Sequence, residues 1–170
     1  MSSPEPATNP VTPLLDEVAA VSDAHRATLS AELELRDARD DAIVRAVRAG
    51  ARLEEIAHVS AISRAGVSKV ARRVLPSRTG RGGPYSRRRG SAAALEGVAQ
   101  ATRALSLGRE RSHDAKRRRD DAIAKAIADG VPLAQAAHAA GMSQASVSTI
   151  AHATVLSQAK IARHGAVASR

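Results

Sequence analysis

The chain has 170 residues, a formal net charge of +9, no cysteine, and aromatic side chains at only 1% of positions, Tyr85 being the sole tyrosine. The missing cysteines exclude a disulfide framework and cysteine-ligated zinc. The basic balance points to a polyanionic partner, and scarce aromatics argue for thin helical layers over a thick core. The apolar residues are mostly Ala with Val, Leu and Ile, and Ala favours helix because it loses no side-chain entropy on ordering.

Taken in chain order, residues 1–13 are polar and Pro-rich and lack the basic-then-apolar order of a signal peptide, so a disordered N-terminus is expected. No apolar run approaches the ~20 residues of a membrane helix, so no membrane partner and a cytoplasmic, nucleoid-associated location are expected. A long helix is predicted over about 14–49, stopped by Gly50. Leu14, Leu15, Val18, Val21, Leu29 and Leu33 give it an apolar stripe. A short helix follows at about 53–60, then a tight turn in which Ser63 caps a last helix running to about 74, with Pro76 beyond it.

Residues 76–92 contain Arg78, Arg81, Arg87, Arg88 and Arg89 among Gly, Pro and Ser, and no acid until the next helix, which reads as a flexible basic linker. A second long helix is predicted over about 93–129, with Leu95, Val98, Leu105 and Leu107 as its stripe. Gly97 and Gly108 are expected to weaken or break it. Gly130, a short helix at 133–140, Ser143 and a last helix to about 154 complete the series. Residues 156–170 form a tail or a prolongation of that helix.

The chain repeats itself. Arg39-Asp40-Asp41-Ala42-Ile43 recurs as Arg119-Asp120-Asp121-Ala122-Ile123, a shift of 80 residues. The same ungapped shift pairs Gly50 with Gly130, Leu53 with Leu133, Ala57 with Ala137, Ser63 with Ser143, Val67 with Val147 and Ser68 with Ser148. Upstream it pairs Val18 with Val98. The expected architecture is all-α, with two repeated three-helix units at 14–75 and 93–155, each a long helix plus a helix-turn-helix, joined by the basic linker.

A helix-turn-helix needs a small residue where its helices cross, a turn residue tolerant of positive φ, and apolar inner faces. The second copy offers Ala137, Gly141 and the face Leu133, Met142, Val147 and Ile150. The first offers Ala57 and the face Leu53, Ile56, Ile62, Val67 and Val70, but has Ala61 in the turn and Gly66 inside its last helix. The segments Leu53-Glu54-Glu55-Ile56-Ala57 to Val67-Ser68-Lys69-Val70, and Leu133-Ala134-Gln135-Ala136-Ala137 to Val147-Ser148-Thr149-Ile150, resemble the small three-helix DNA-binding units of bacterial and phage regulators and of resolvase-type recombinases. That resemblance implies that the last helix of each unit enters the major groove of double-stranded DNA.

The groove-facing side of the first such helix is taken as the side away from Val67, Val70 and Val74. It carries Arg64 and Ser68 as base-reading candidates and Lys69, Arg72 and Arg73 as phosphate contacts. In the second, Gln144, Ser148, Thr149 and His152 occupy the same positions, and Gln144 has the donor and acceptor to read adenine. The linker arginines suit a narrow minor groove. Lys116-Arg117-Arg118-Arg119 is either a solvated face or a phosphate contact.

No catalytic, metal or cofactor site is expected. His58 and His138 are repeat-equivalent but lack companion ligands at metal spacing. Asp40-Asp41 and Asp120-Asp121 point about 100° apart on a helix and are expected to pair with Arg on neighbouring turns. The long-helix stripes must bury against something, and the expected pairings are with one another, within the chain or in a homodimer. The expected function is sequence-specific DNA binding as a transcriptional regulator, not an enzyme, with no small-molecule ligand. The alternatives are an architectural DNA-binding protein with little sequence preference, or a helical interaction module.

Overall fold

A computed structural model of the chain describes residues 11–74 and 91–154. Among them every regular element is an α-helix: α1 (Val11–Arg48), α2 (Leu53–Ser60), α3 (Arg64–Val74), α4 (Ser91–Ala128), α5 (Leu133–Ala140) and α6 (residues 144–154). The linker arginines and the C-terminal tail lie outside the described residues.

Local chemistry sets the helix ends. Gly50 and Gly130 adopt φ of 85° and 91°, which a Cβ would resist. At each, paired bonds close the helix: Gly50 N–H to Val47 O and Ala51 N–H to Ala46 O, and Gly130 N–H to Ile127 O and Val131 N–H to Ala126 O. The residues that follow, Ala51 and Val131, are buried in the cores and anchor the chain as it turns. Ser63 Oγ accepts from Gly66 N–H at 3.1 Å, and Ser143 Oγ from Ser146 N–H at 3.2 Å, capping α3 and α6. Arg52 N–H donates to Glu55 Oε2 at 3.0 Å, satisfying a donor at the start of α2.

The expected disorder of residues 1–13 does not hold for residues 11–13, because α1 already begins at Val11, and residues 1–10 lie outside the described residues. Pro13 is tolerated there since the first-turn N–H groups lack intrahelical partners, and Val11 packs against a core. Nor do Gly97 and Gly108 interrupt α4, which is continuous over its 38 residues. Gly108 admits a neighbour: a Cβ added to it would lie 2.6 Å from Leu35 Cδ1.

The chain folds into two compact units that are not its two sequence halves. One, the α3 unit, takes Leu29–Arg111: the C-terminal part of α1, then α2 and α3, and the N-terminal part of α4. Its core is Ala42, Ile43, Ala46, Ala51, Ile56 and Val67 together with Val98 of α4. The other, the α6 unit, takes the chain up to Thr28 and from Ser112 onward. Its core is Ala122, Ile123, Ala126, Val131, Ala136, Ala137, Ala140 and Val147 together with Val18 of α1. Each pair of short helices is therefore covered by the long helix of the other repeat. Val18 and Val98 are both fully buried, and each fully buried Val is worth roughly 1.5–3 kcal/mol against exposure.

The apolar stripes drift on the long helices, leaving Leu29, Leu33 and Leu107 exposed. Leu133, expected on an inner face, is 41% exposed, and Val131 with Ala136 and Ala140 fills the core instead. Val74, expected on the buried face of α3, is 53% exposed at its last turn, while Ala71 is buried.

Candidate nucleic-acid interface

At about 100° per residue, burial of Val67 and Ala71 turns Ala65, Lys69 and Arg72 toward solvent. Arg73 lies at one edge of this exposed face and Arg64 at the other. Ser68 is half-buried at its border, on the Arg64 side. Ala65, Ser68, Lys69, Arg72 and Arg73 line one shallow, open depression. The small residues keep its floor low and the three cations ring it, an arrangement that admits an anionic backbone.

Arg64 is pinned sideways. Its Nη1 lies 3.1 Å from Glu54 Oε1 on α2, and both side chains are about two-thirds exposed (68% and 61%). Glu54 was not a sequence candidate. The signal was available in the repeat, because Ala134 and Gln144 replace Glu54 and Arg64 together.

The turn before α3 holds Ala61 at φ 51°, and the turn before α6 holds Gly141 at φ 63°. An L-residue with a Cβ pays ~1–2 kcal/mol for that conformation. The neighbourhood explains why the two turns differ. Arg26 Nη1 donates to Ala140 O at 3.2 Å, and a Cβ on Gly141 would lie 2.9 Å from that nitrogen. The repeat-equivalent of Arg26 is Ser106, too short to crowd a turn alanine. Gly66 has a packing reason too: a Cβ there would collide with Ile62 Cγ2.

On α6, Gln144 and His152 are exposed and Ser148 is half-buried. Thr149 is exposed, but its Oγ1 donates to Ala145 O at 2.9 Å. The described residues of α6 carry no Asp, Glu, Lys or Arg, whereas α3 carries Arg64, Lys69, Arg72 and Arg73 and no acid. Arg78, Arg81, Arg87, Arg88 and Arg89 lie outside the described residues.

The basic run of α4 is largely self-neutralised. Lys116 pairs with Asp120 at 2.8 Å, Arg117 with Asp114 at 2.5 Å, and Arg119 with Asp120 at 2.6 Å. The Arg39–Asp40 pair, also 2.6 Å, repeats the last of these. Asp40 and Asp120 thus pair with the adjacent Arg, where an Arg on a neighbouring turn was expected, and Asp120 adds Lys116 one turn away. Burial alone would raise the Asp120 pKa, but hydrogen bonds from Lys116 and Arg119 outweigh it and hold the carboxyl below its usual range.

His25 is buried in the α6 unit, 7% exposed, with Nδ1 3.0 Å from Arg119 Nη1. Arginine can only donate, so Nδ1 accepts and His25 sits neutral. Burial first, then the Arg119 charge, lowers its pKa. Leu105 stands at the equivalent position of the other repeat. His58 and His138 are exposed. Among the described residues no cluster of His, Asp or Glu could hold a metal ion, and no helix is long and apolar enough to cross a membrane.

Compared with known proteins, the chain matches no family model, no curated protein and no solved structure.

Proposed function

We propose that the chain is a double-stranded DNA-binding regulator whose α2–α3 and α5–α6 pairs are two helix-turn-helix units, with α3 and α6 as the helices presented to the major groove. The observation that carries this reading is the outward face of α3, where Lys69, Arg72 and Arg73 surround a floor of Ala65 and Ser68 with no acid on the helix. Such a face neutralises phosphates and lets a groove wall approach closely. On α6, Gln144 supplies donor and acceptor for a base edge, while Ser148 and His152 add shorter polar contacts. The protein acts by binding and not by catalysis.

A binding titration on random and on selected duplexes, repeated across salt concentrations, tests this. The regulator reading expects a preference of about 10³-fold or more for a selected site. Equal affinities with a steep salt slope would replace it with an architectural role. No binding to any duplex at low salt would remove both.

A further inference from the structure

We propose that Glu54 is a specificity-setting residue that biases Arg64 toward guanine edges and away from phosphates. This rests on the DNA-binding reading above.

Glu54 and its neighbour Glu55 have different tasks. The Glu55 carboxylate is occupied locally, accepting Arg52 N–H at the start of α2. The Glu54 carboxylate instead leaves its own helix and meets Arg64 at the first turn of α3, 3.1 Å away. Stability does not account for the pair, because an ion pair this exposed contributes only about 0–1 kcal/mol. Both partners change together in the other repeat, to Ala134 and Gln144, so the carboxylate is present only where there is an arginine to hold.

The chemistry of the two competing DNA ligands separates them. A lone arginine at a helix start pairs with any phosphate within reach, which adds affinity on every sequence. With Glu54 alongside, a phosphate approaching Arg64 also approaches a carboxylate and is repelled. Guanine O6 and N7 are neutral acceptors and meet no such repulsion. The guanidinium has five N–H donors. With Nη1 turned to Glu54, the remaining donors are free for a bidentate contact of the kind that reads guanine. Glu54 touches no base in this scheme; it is a positioning residue acting through Arg64.

The test compares Glu54→Gln with Glu55→Gln in the full chain, alone and combined with Arg64→Ala. Glu55→Gln removes the same charge from the same turn of α2. The readouts are Kd on a selected duplex, Kd on random duplex, and Tm. Glu54→Gln is expected to tighten random-duplex binding and to lower the selected-to-random ratio about three- to fivefold, the scale of one exposed ion pair. Glu55→Gln is expected to leave the ratio unchanged, and Arg64→Ala to abolish the effect of Glu54→Gln. A purely structural pair would move Tm and not the ratio. An unchanged ratio, equal effects from the two Gln variants, or an effect that persists without Arg64 would each overturn the proposal. Failure of the native chain to bind any duplex would overturn the DNA reading itself, and this one with it.

Discussion

The α3 unit and the α6 unit are built from repeat-equivalent pieces, yet they differ where it matters for contact with a partner. The outer face of α3 is cationic and that of α6 is uncharged and hydrogen-bonding. Their interiors differ in a compensating way. Ile56 and Ala51 in one core become Ala136 and Val131 in the other, moving bulk from the short helix to the turn before it. The turn pair Ala61 and Ser106 becomes Gly141 and Arg26. The first change is balanced within each repeat, whereas the turn pair couples residues of different repeats, which follows from each unit taking the N-terminal part of the other repeat's long helix. A duplicated scaffold can thus diverge in its surface while each core is rebalanced locally.

The largest expected effect breaks this comparison at its root. Val98→Asp, a change in the second repeat, should unfold the helices of the first, and Val18→Asp those of the second. A charge placed in a fully buried site costs about 4 kcal/mol or more. Hydrogen exchange read helix by helix checks it. Protection lost from α2 and α3 with the Val98 variant, and from α5 and α6 with the Val18 variant, is the expected pattern. Loss confined to the mutated repeat would refute the exchange.

Next come the outer faces. Arg72→Ala should weaken binding on every duplex and reduce the salt slope by about one. Gln144→Ala should cost about 1–3 kcal/mol against one base pair and little elsewhere. A filter-binding series over single-base variants of a selected site distinguishes these outcomes, and matching profiles would mean that the two faces are functionally alike.

Glycine tests sharpen the interiors. Gly66→Ala should destabilise by about 1–3 kcal/mol through overpacking on Ile62, although Ala elsewhere inside a helix gains roughly 1 kcal/mol over Gly. Ala61→Gly should stabilise by about 1 kcal/mol, by releasing the left-handed conformation of a residue with a Cβ. Denaturant midpoints give both signs.

The smallest effect is in pH. His25 has a folded pKa below the ordinary imidazole value of 6.5, so the unfolded chain binds the proton more readily. Stability attributable to this site is intact above about pH 6.5 and falls as pH drops toward the lowered value. Asp120, lowered from 3.8, adds a further loss at more acid pH. His25→Leu, which installs the residue found at position 105, should flatten the first of these steps in a Tm against pH series; a step that survives would assign it elsewhere.

Much of the secondary structure was legible without coordinates. Gly50, Gly130, Ser63 and Ser143 place the helix ends by local chemistry, and α2 and α5 begin and end at the residues the pattern indicates. Candidates such as Arg72 and Lys69 followed from helical periodicity alone, since a Val recurring about once a turn at 67, 70 and 74 assigns the opposite face to solvent. Glu54 could not be found this way, because it lies on another helix and its relation to Arg64 is a matter of tertiary geometry. His25 was equally hidden: nothing in a helical pattern tells a buried imidazole from an exposed one.

Sequence by itself therefore determined the short helices, the caps at Ser63 and Ser143, the repeat and the charge of each outer face, but not that α4 runs unbroken through Gly97 and Gly108. Tertiary structure decided which helix covers which. The physical reason is that an apolar stripe records that it must be buried and not against what. Val18 and Val98 are the same residue at equivalent positions, and either would satisfy either core; only the packed chain shows that each serves the other repeat.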